Sequence, residues 1–421
     1  MRILYNLLAW LLQIPVAAYW VFRAIGNRSY RRGFWQRFGI GYPKFSRCIW
    51  IHAVSVGEVQ AAAPLIREVF KRFPDRQVLI TTVTPTGAAH VRALFGDSVA
   101  HSYIPFELPP AVQSFFRHVN PELALIMETE IWPNLYRGCG IREIPLILVS
   151  ARISPTSLQG YRRVLPLFKE TLSHGIIIAA QSKADADRFR SLGASSVRTW
   201  VIGNIKFDIE LPENLAADGQ QLREQMFGDR PVWVAASTHD QEEQQVLAAH
   251  AILQKSFPDL LLVLVPRHPE RFADVRRLLE QQNFSFVRRT KGDACGTSSS
   301  VFLLDTMGEL PLFYAASDIA FVGGSLVPVG GHNLLEPAAL GLPVISGPNV
   351  FNAQEIADMF VEKGACEIVE DSDALAAEIA KLLADPDAAT AMGSRGREIV
   401  QSNRGSLRKL MGLLEPLIDD S

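Results

Sequence analysis

Asp318-Ile319-Ala320-Phe321-Val322-Gly323-Gly324-Ser325, followed by Gly330-Gly331-His332-Asn333-Leu334-Leu335-Glu336-Pro337, is the stretch from which the rest of the chain can be read. The apolar run ending at Val322 has the composition of a buried strand; two double glycines break it and a helix start follows. Paired glycines let the backbone approach a ligand closely, and the N–H groups of a helix start favour a phosphate. Gly330 and Gly331 would then adjoin the ligand, with Asn333 and Glu336 offered to ribose hydroxyls or a base. A plainer reading of the same residues is a glycine-rich turn with an Asn cap. The spacing is not Gly-x-Gly-x-x-Gly and no Gly-Lys-Ser/Thr follows, so the dinucleotide fingerprint and the P-loop are both absent.

Working outward, similar strand-turn-helix units recur on both sides. Upstream and downstream of the glycines, strands are expected at 231–236, 260–265, 301–304, 319–322 and 344–346. An earlier set is expected at 48–54, 78–83, 123–127, 146–149 and 176–180. Between the first two of these, Ala62, Leu65, Ile66, Val69, Phe70 and Phe73 recur at helical spacing, marking one buried face. Alternating strands and helices imply parallel sheets covered on both faces. A chain of 421 residues is too long for one core. The polar, proline-containing interval 211–229 is read as a linker between a domain at 25–210 and a second at 230–421, whose final helices are free to pack back on the first. The fold class is therefore α/β, with two Rossmann-like doubly wound domains and ligands expected in a cleft between them, at the carboxyl ends of the strands.

Charge is nearly balanced, 42 Lys plus Arg against 44 Asp plus Glu, which argues against a nucleic acid or other polyanionic partner. Cys48, Cys139, Cys295 and Cys366 form no Cys-x-x-Cys pair, which suits a reducing compartment and excludes a disulfide or zinc framework. Residues 3–22 are mostly apolar, interrupted by Asn6, Gln13 and Pro15, and about twenty such residues match the thickness of a bilayer. Arg23, Arg28, Arg31, Arg32 and Arg37 follow, interleaved with Tyr30, Phe34, Trp35 and Phe38. Ala17-Ala18-Tyr19-Trp20 makes a poor signal-peptide cleavage site. Residues 1–24 are read as a membrane-anchor helix, spanning or lying flat, with the arginines holding the body of the protein at the cytoplasmic side.

Unusual polar residues fall at the strand exits. Ser55-Val56-Gly57-Glu58 leaves the first strand, and a carboxylate at a helix start near a substrate hydroxyl can serve as a general base; the same Glu can also simply cap its helix. Glu128 and Glu130 flank Thr129 and point in different directions, with Arg152 and Lys206 as the candidate cations that would keep them ionised. In the second domain, Pro266-Arg267-His268-Pro269 fixes an arginine and a histidine between two prolines, placed to meet an anion. Ser237 and Thr238 add hydroxyls for a phosphate, and Asp305-Thr306-Met307-Gly308-Glu309 could cradle a base through its backbone. Together these turns make a nucleotide site the favoured reading.

The combination His52-Ala-Val-Ser-Val-Gly-Glu58, Met127-Glu-Thr-Glu-Ile-Trp-Pro-Asn134, Gly203-Asn-Ile-Lys-Phe-Asp208, Val265-Pro-Arg-His-Pro-Glu270 and Gly330-Gly-His-Asn-Leu-Leu-Glu-Pro337 resembles the 3-deoxy-D-manno-octulosonic acid (Kdo) transferases of Gram-negative bacteria. The resemblance runs from the first helix to the last, with five motifs in order. It implies a GT-B enzyme that moves Kdo from CMP-Kdo to the lipid A precursor at the cytoplasmic face of the inner membrane, with no cofactor and no metal. Carried over by position, it makes Glu58 the proton acceptor and gives Glu128 or Glu130, with Lys206, the stabilisation of the transition state. It puts CMP on Pro266, Arg267, Met307, Gly308, Glu309, Asn333, Leu334, Leu335 and Glu336. Leu334 departs from the proline common at that position, a backbone-level contact. Asp185-Ala-Asp187 and Asp385-Pro-Asp387 read as solvated or capping residues. Two rival readings are a nucleotide-sugar epimerase binding UDP on the same architecture, and a membrane-anchored module that binds a nucleotide without catalysis.

Overall fold

The computed structural model describes residues 1–26, 28–292 and 295–419, with the side chains of Arg28 and Asp419 left aside. The chain divides into two compact units, Met1–Asp208 with Asn403–Ser421, and Ile209–Ser402. In the first unit the strands are β1 (Cys48–His52), β2 (Val78–Thr82), β3 (Ala100–Tyr103), β4 (Pro121–Met127), β5 (Leu146–Ala151), β6 (Ile177–Ala180) and β7 (Thr199–Val201). They form one sheet in the order β3-β2-β1-β4-β5-β6-β7, parallel throughout. The second unit holds β8 (Val232–Thr238), β9 (Leu261–Pro266), β10 (Phe286–Arg288), β11 (Val301–Leu303), β12 (Ile319–Val322), β13 (Val344–Ser346) and β14 (Cys366–Ile368). Its order is β10-β11-β9-β8-β12-β13-β14, again parallel.

The central strands β1, β2, β4, β5 and β9 are buried at every position and mostly apolar, because helices cover both faces of each sheet. Within β1, Cys48 and Trp50 enter a core with Phe115 and Phe116 on one face, while Ile49 and Ile51 meet Val59, Leu65 and Ile66 of helix Val56–Arg72 on the other. The same division in β8 sends Trp233 and Ala235 to one face and Val232, Val234 and Ala236 to the other. Each chain segment starts at the middle of its sheet, runs outward to one edge, and returns to build the other half. The direction therefore reverses between β1 and β4, and between β8 and β12, opening a crevice at the strand ends of each sheet.

Among the described residues, ten of the fourteen strands coincide with the expected ones; the other four, β3, β7, β10 and β14, are the outer strands of the two sheets. These are three or four residues long and partly exposed, so they lack the continuous apolar run of a central strand. The interval 211–229 is not a linker. It folds as helix Leu215–Met226, which buries Leu215, Gly219 and Leu222 and ties Arg223 to Asp318 at 2.9 Å, within the second unit. At the other end the second unit stops at Ser402 rather than 421. Helix Ser406–Asp419 returns to the first unit, burying Leu410, Met411, Leu414 and Ile418 in its core. Asp208 accepts the Gly405 and Leu407 N–H groups at 2.6 and 2.7 Å and fixes that return. Helix Arg2–Gly26 is long and apolar enough to cross a membrane, and none of its residues is buried. In the Gly/Ser/Thr-rich loop 290–300, residues 293 and 294 lie outside the described residues.

Candidate active site

In the first unit, Glu58 leaves β1 and Glu128 leaves β4, so the two carboxylates flank the reversal point of the sheet. Glu58 sits in the first turn of helix Val56–Arg72, and its Oε2 accepts the Val54 N–H at 2.8 Å. Val54 precedes the N-cap Ser55, so the bond braces the strand-to-helix turn and differs from a capping box, in which the carboxylate meets the N-cap N–H. Burial pushes its carboxyl up to about 8; the Val54 N–H opposes this, Glu128 and Glu130 add to it, and Lys206 opposes it.

Glu128 and Glu130 part company, as their spacing suggested. Glu128 adopts a left-handed backbone with φ 54°, uncommon for a non-glycine residue and found where a site over-determines the chain. Its carboxylate bridges two cations, Lys206 Nζ at 2.9 Å and Arg152 Nε at 3.3 Å. Burial alone would raise the Glu128 carboxyl, but Lys206 and then Arg152 outweigh it and hold it below the usual range. Glu130 instead accepts the Trp132 indole N–H at 2.8 Å, and burial raises its carboxyl, offset by that bond and reinforced by Glu128. Lys206 is placed by a short turn, Ile205–Phe207, whose Asn204 side chain accepts the Lys206 N–H at 3.0 Å.

In the second unit the anticipated residues also gather at strand exits. After β8, Ser237 takes a left-handed backbone with φ 59°, and the Thr238 hydroxyl is fully buried without a hydrogen-bond partner. Pro266 ends β9, and the Arg267 N–H donates to the Thr238 carbonyl at 3.0 Å, drawing the two exits together. Gly308 has φ 86° with open space where a side chain would lie, and Met307 beside it is exposed. Glu309 pairs with Arg289 at 2.6 Å, which lowers its carboxyl, with the Thr306 hydroxyl donating to it as well. Asn333 accepts the Leu335 N–H at 3.0 Å and donates to Glu336 at 3.1 Å; Leu334 and Leu335 are buried. Burial raises the Glu336 carboxyl, countered by Asn333 and then Arg267.

One expectation about the glycines is overturned. The N–H groups of the first double-glycine turn do not face a ligand, because the fully buried Glu242 carboxylate occupies them. Gly324, Ser325 and Leu326 donate to it at 2.6, 3.0 and 2.9 Å, and His239 N–H adds a fourth bond at 3.2 Å. A side chain at 323 would lie 2.8 Å from that carboxylate, so glycine there makes room for Glu242. Gly330 and Gly331 turn their N–H groups to the Gly324 carbonyl at 3.1 and 2.8 Å. Side chains near these turns that suit an anion are Arg267 and three imidazoles, His239, His268 and His332. His239 and His332 share an Nε2 to Nε2 hydrogen bond of 2.8 Å, and the His268 ring stands edge-on to His239. Burial, and then neighbouring positive charge, pushes His239 down to about 4 and His332 to about 3. Neither Glu242 nor the histidine pair was identified from sequence; the available signal was an acidic helix start facing a glycine turn from a neighbouring strand.

Two parallel sheets of Rossmann type, each with polar residues at its reversal point, define a protein of GT-B architecture. Solved structures agree on the fold: a UDP-GlcNAc 2-epimerase from Neisseria meningitidis is 16% identical, covers 88% of this chain and 100% of its own, with a TM-score of 0.54. A glycosyltransferase from Rickettsia africae is 15% identical, covering 90% of this chain and 100% of its own, at a TM-score of 0.52. Residues 32–209 match the family model for 3-deoxy-D-manno-octulosonic-acid transferase (kdotransferase), and residues 232–399 that for glycosyl transferases group 1. A 3-deoxy-D-manno-octulosonic acid transferase of Haemophilus influenzae is 41% identical, spanning 94% of both chains. Its counterpart in Bordetella pertussis is 35% identical over 87% of this chain and 86% of its own. The chain belongs to the 3-deoxy-D-manno-octulosonic acid transferase family.

Proposed function

We propose that this chain transfers Kdo from CMP-Kdo to a hydroxyl of the tetraacyl lipid A precursor, at the cytoplasmic face of the inner membrane, with inversion and without a metal or cofactor. The observation that carries the reading is the Glu58 carboxyl, partly desolvated and raised to about 8, beside a Glu128 that two cations keep ionised. A carboxylate of raised basicity at a strand exit is suited to take a proton from a sugar hydroxyl.

The anomeric carbon of Kdo bears a carboxylate and gains positive character as CMP leaves. Lys206 and Arg152 together carry one positive charge more than Glu128 neutralises, which suits the Kdo carboxylate as the bond to CMP breaks. Arg267, His239 and His332 offer the departing phosphate a cation and imidazole groups, so charge neutralisation by a metal ion is not needed in this scheme. Attack by the Glu58-activated hydroxyl from the face opposite CMP inverts the anomeric centre. The lipid acceptor stays in the membrane that the N-terminal helix serves, while the donor arrives from solution.

The test is incubation of the full chain with CMP-Kdo and detergent-dispersed tetraacyl lipid A precursor, with products resolved by mass and anomeric configuration by NMR. An inverted Kdo adduct with release of CMP is expected. Folded protein that binds CMP but makes no adduct refutes the acceptor; protein that retains UDP and not CMP refutes the donor.

A further inference from the structure

We infer that helix Arg2–Gly26 lies flat in one leaflet of the membrane, docked on the first unit along its whole length, and does not cross the bilayer. The inference rests on the membrane location just proposed and fixes how the membrane is met.

Residues 2, 5, 6, 9, 13, 17, 20 and 24 are the half-covered positions of this helix, and every other position in it is exposed. At about 100° per residue these eight fall within one stripe roughly 120° wide that runs from the first turn to the last. The stripe is the polar and small face of the helix: it carries Arg2, Tyr5, Asn6, Gln13 and Trp20, with alanines between. The opposite face is apolar from end to end, with Ile3 79% and Phe22 75% exposed and Leu7, Leu11, Ile14 and Ile25 between or beyond them. A soluble amphipathic helix turns its apolar face to its own domain. Here the arrangement is inverted, and the outward face needs an apolar partner.

Contacts of the covered stripe hold both ends to the same unit. At the start, Arg2 pairs with Glu170 at 2.6 Å, Tyr5 donates to Glu107 at 2.9 Å, and Asn134 donates to Asn6 at 2.9 Å. Towards the other end, the Trp20 ring lies 3.8 Å from the guanidinium of Arg37, itself buried and bonded to the Val83 carbonyl. Arg31 then closes the helix on the Ala24 and Ile25 carbonyls at 2.7 and 3.1 Å. Residues 2 and 20 are about 27 Å apart along a helix axis, close to the thickness of the hydrocarbon layer. If the helix spanned, the flank of the first unit would have to run through the membrane beside it. That flank carries the exposed Arg137 and the Glu170 carboxylate, 39% exposed, at the far end, and charges of that kind are costly in hydrocarbon. Lying in plane, the apolar face sinks roughly 5–10 Å into the leaflet. Arg23 and Arg32, with exposed Trp35 and Ile40 just beyond, then meet the headgroup layer of the same leaflet.

The occupant is therefore a lipid leaflet bearing anionic headgroups. Epitope tags placed ahead of Met1 and after Ser421 in the full chain, digested by protease in sealed right-side-out and inside-out membrane vesicles, test the orientation. Cleavage of both tags from the cytoplasmic side alone is expected; cleavage of the leading tag from the opposite side overturns the inference. Purified protein should also sediment with phosphatidylethanolamine–phosphatidylglycerol vesicles, and failure to sediment removes the lipid partner. Transfer to the detergent-dispersed acceptor is read separately, so loss of the membrane contact and loss of the proposed reaction are distinguished.

Discussion

Lys206 Nζ donates to Glu128 Oε1 at 2.9 Å, joining a turn after β7 to the exit of β4 across 78 residues of sequence. The pair, with Arg152 beside it, sets the local charge around Glu58. Replacing Lys206 by Met should leave Glu128 with one cation and remove positive charge from the proposed Kdo carboxylate position. A fall in kcat of about 100-fold or more is expected, with CMP affinity within a few-fold of wild type. Steady-state kinetics with a separate CMP titration check this; unchanged kcat removes Lys206 from the chemistry.

Glu58 predicts a pH dependence of activity. With its carboxyl at about 8, only about a tenth of the free enzyme is ionised at pH 7, so kcat/KM should rise through pH 8 and level above it. A profile flat from pH 6 to 9 contradicts the role of Glu58 as base.

The same group predicts a stability effect of opposite direction. Its folded pKa is raised above the unfolded carboxyl value, so its stabilising contribution is complete below about 4.5 and is lost as pH rises through 8. Glu58→Gln suffers no such loss and keeps an acceptor for the Val54 N–H. Relative to wild type it should gain about 4 kcal/mol between pH 5 and 9, seen as a difference in unfolding midpoint that widens over that window.

Glu242 predicts a purely structural effect. Four backbone N–H groups converge on its buried carboxylate, and Glu242→Ala leaves them without an acceptor. A loss of about 3 kcal/mol or more is expected, read as a lower melting temperature of the second unit. An unchanged melting temperature would show that water replaces the carboxylate at no cost.

How far the sequence reveals this molecule follows from where its information is stored. Central strands such as β4 and β9 are buried at every position because both faces are covered, and their apolar runs Leu123–Met127 and Leu261–Pro266 are legible from composition alone. Edge strands such as β7 and β10 depend on a single neighbour, and helix Leu215–Met226 shows polar residues on three sides, so neither announces itself. At the site, Glu58, Glu128, Lys206 and Arg267 could be picked out as ionisable residues at strand exits. The use of Gly323 and Gly324 could not: a glycine turn around a carboxylate and one around a phosphate have the same composition, and only the Glu242 geometry distinguishes them.

Burial raises the Glu336 carboxyl and lowers the imidazoles of His239 and His332; Arg267 offsets part of the first and adds to the second, which places its charge among the residues proposed to hold CMP. Arg267→Met should weaken CMP binding about tenfold or more, measured by calorimetry, while leaving the melting temperature unchanged. Undiminished CMP affinity would move the phosphate elsewhere.

The most direct test of the central claim is single-turnover transfer by Glu58→Gln with saturating CMP-Kdo. Proton abstraction by Glu58 predicts a rate at least about 100-fold below wild type, with CMP affinity and folding intact. A rate within tenfold of wild type would contradict it and leave Glu58 as a brace of the turn after β1.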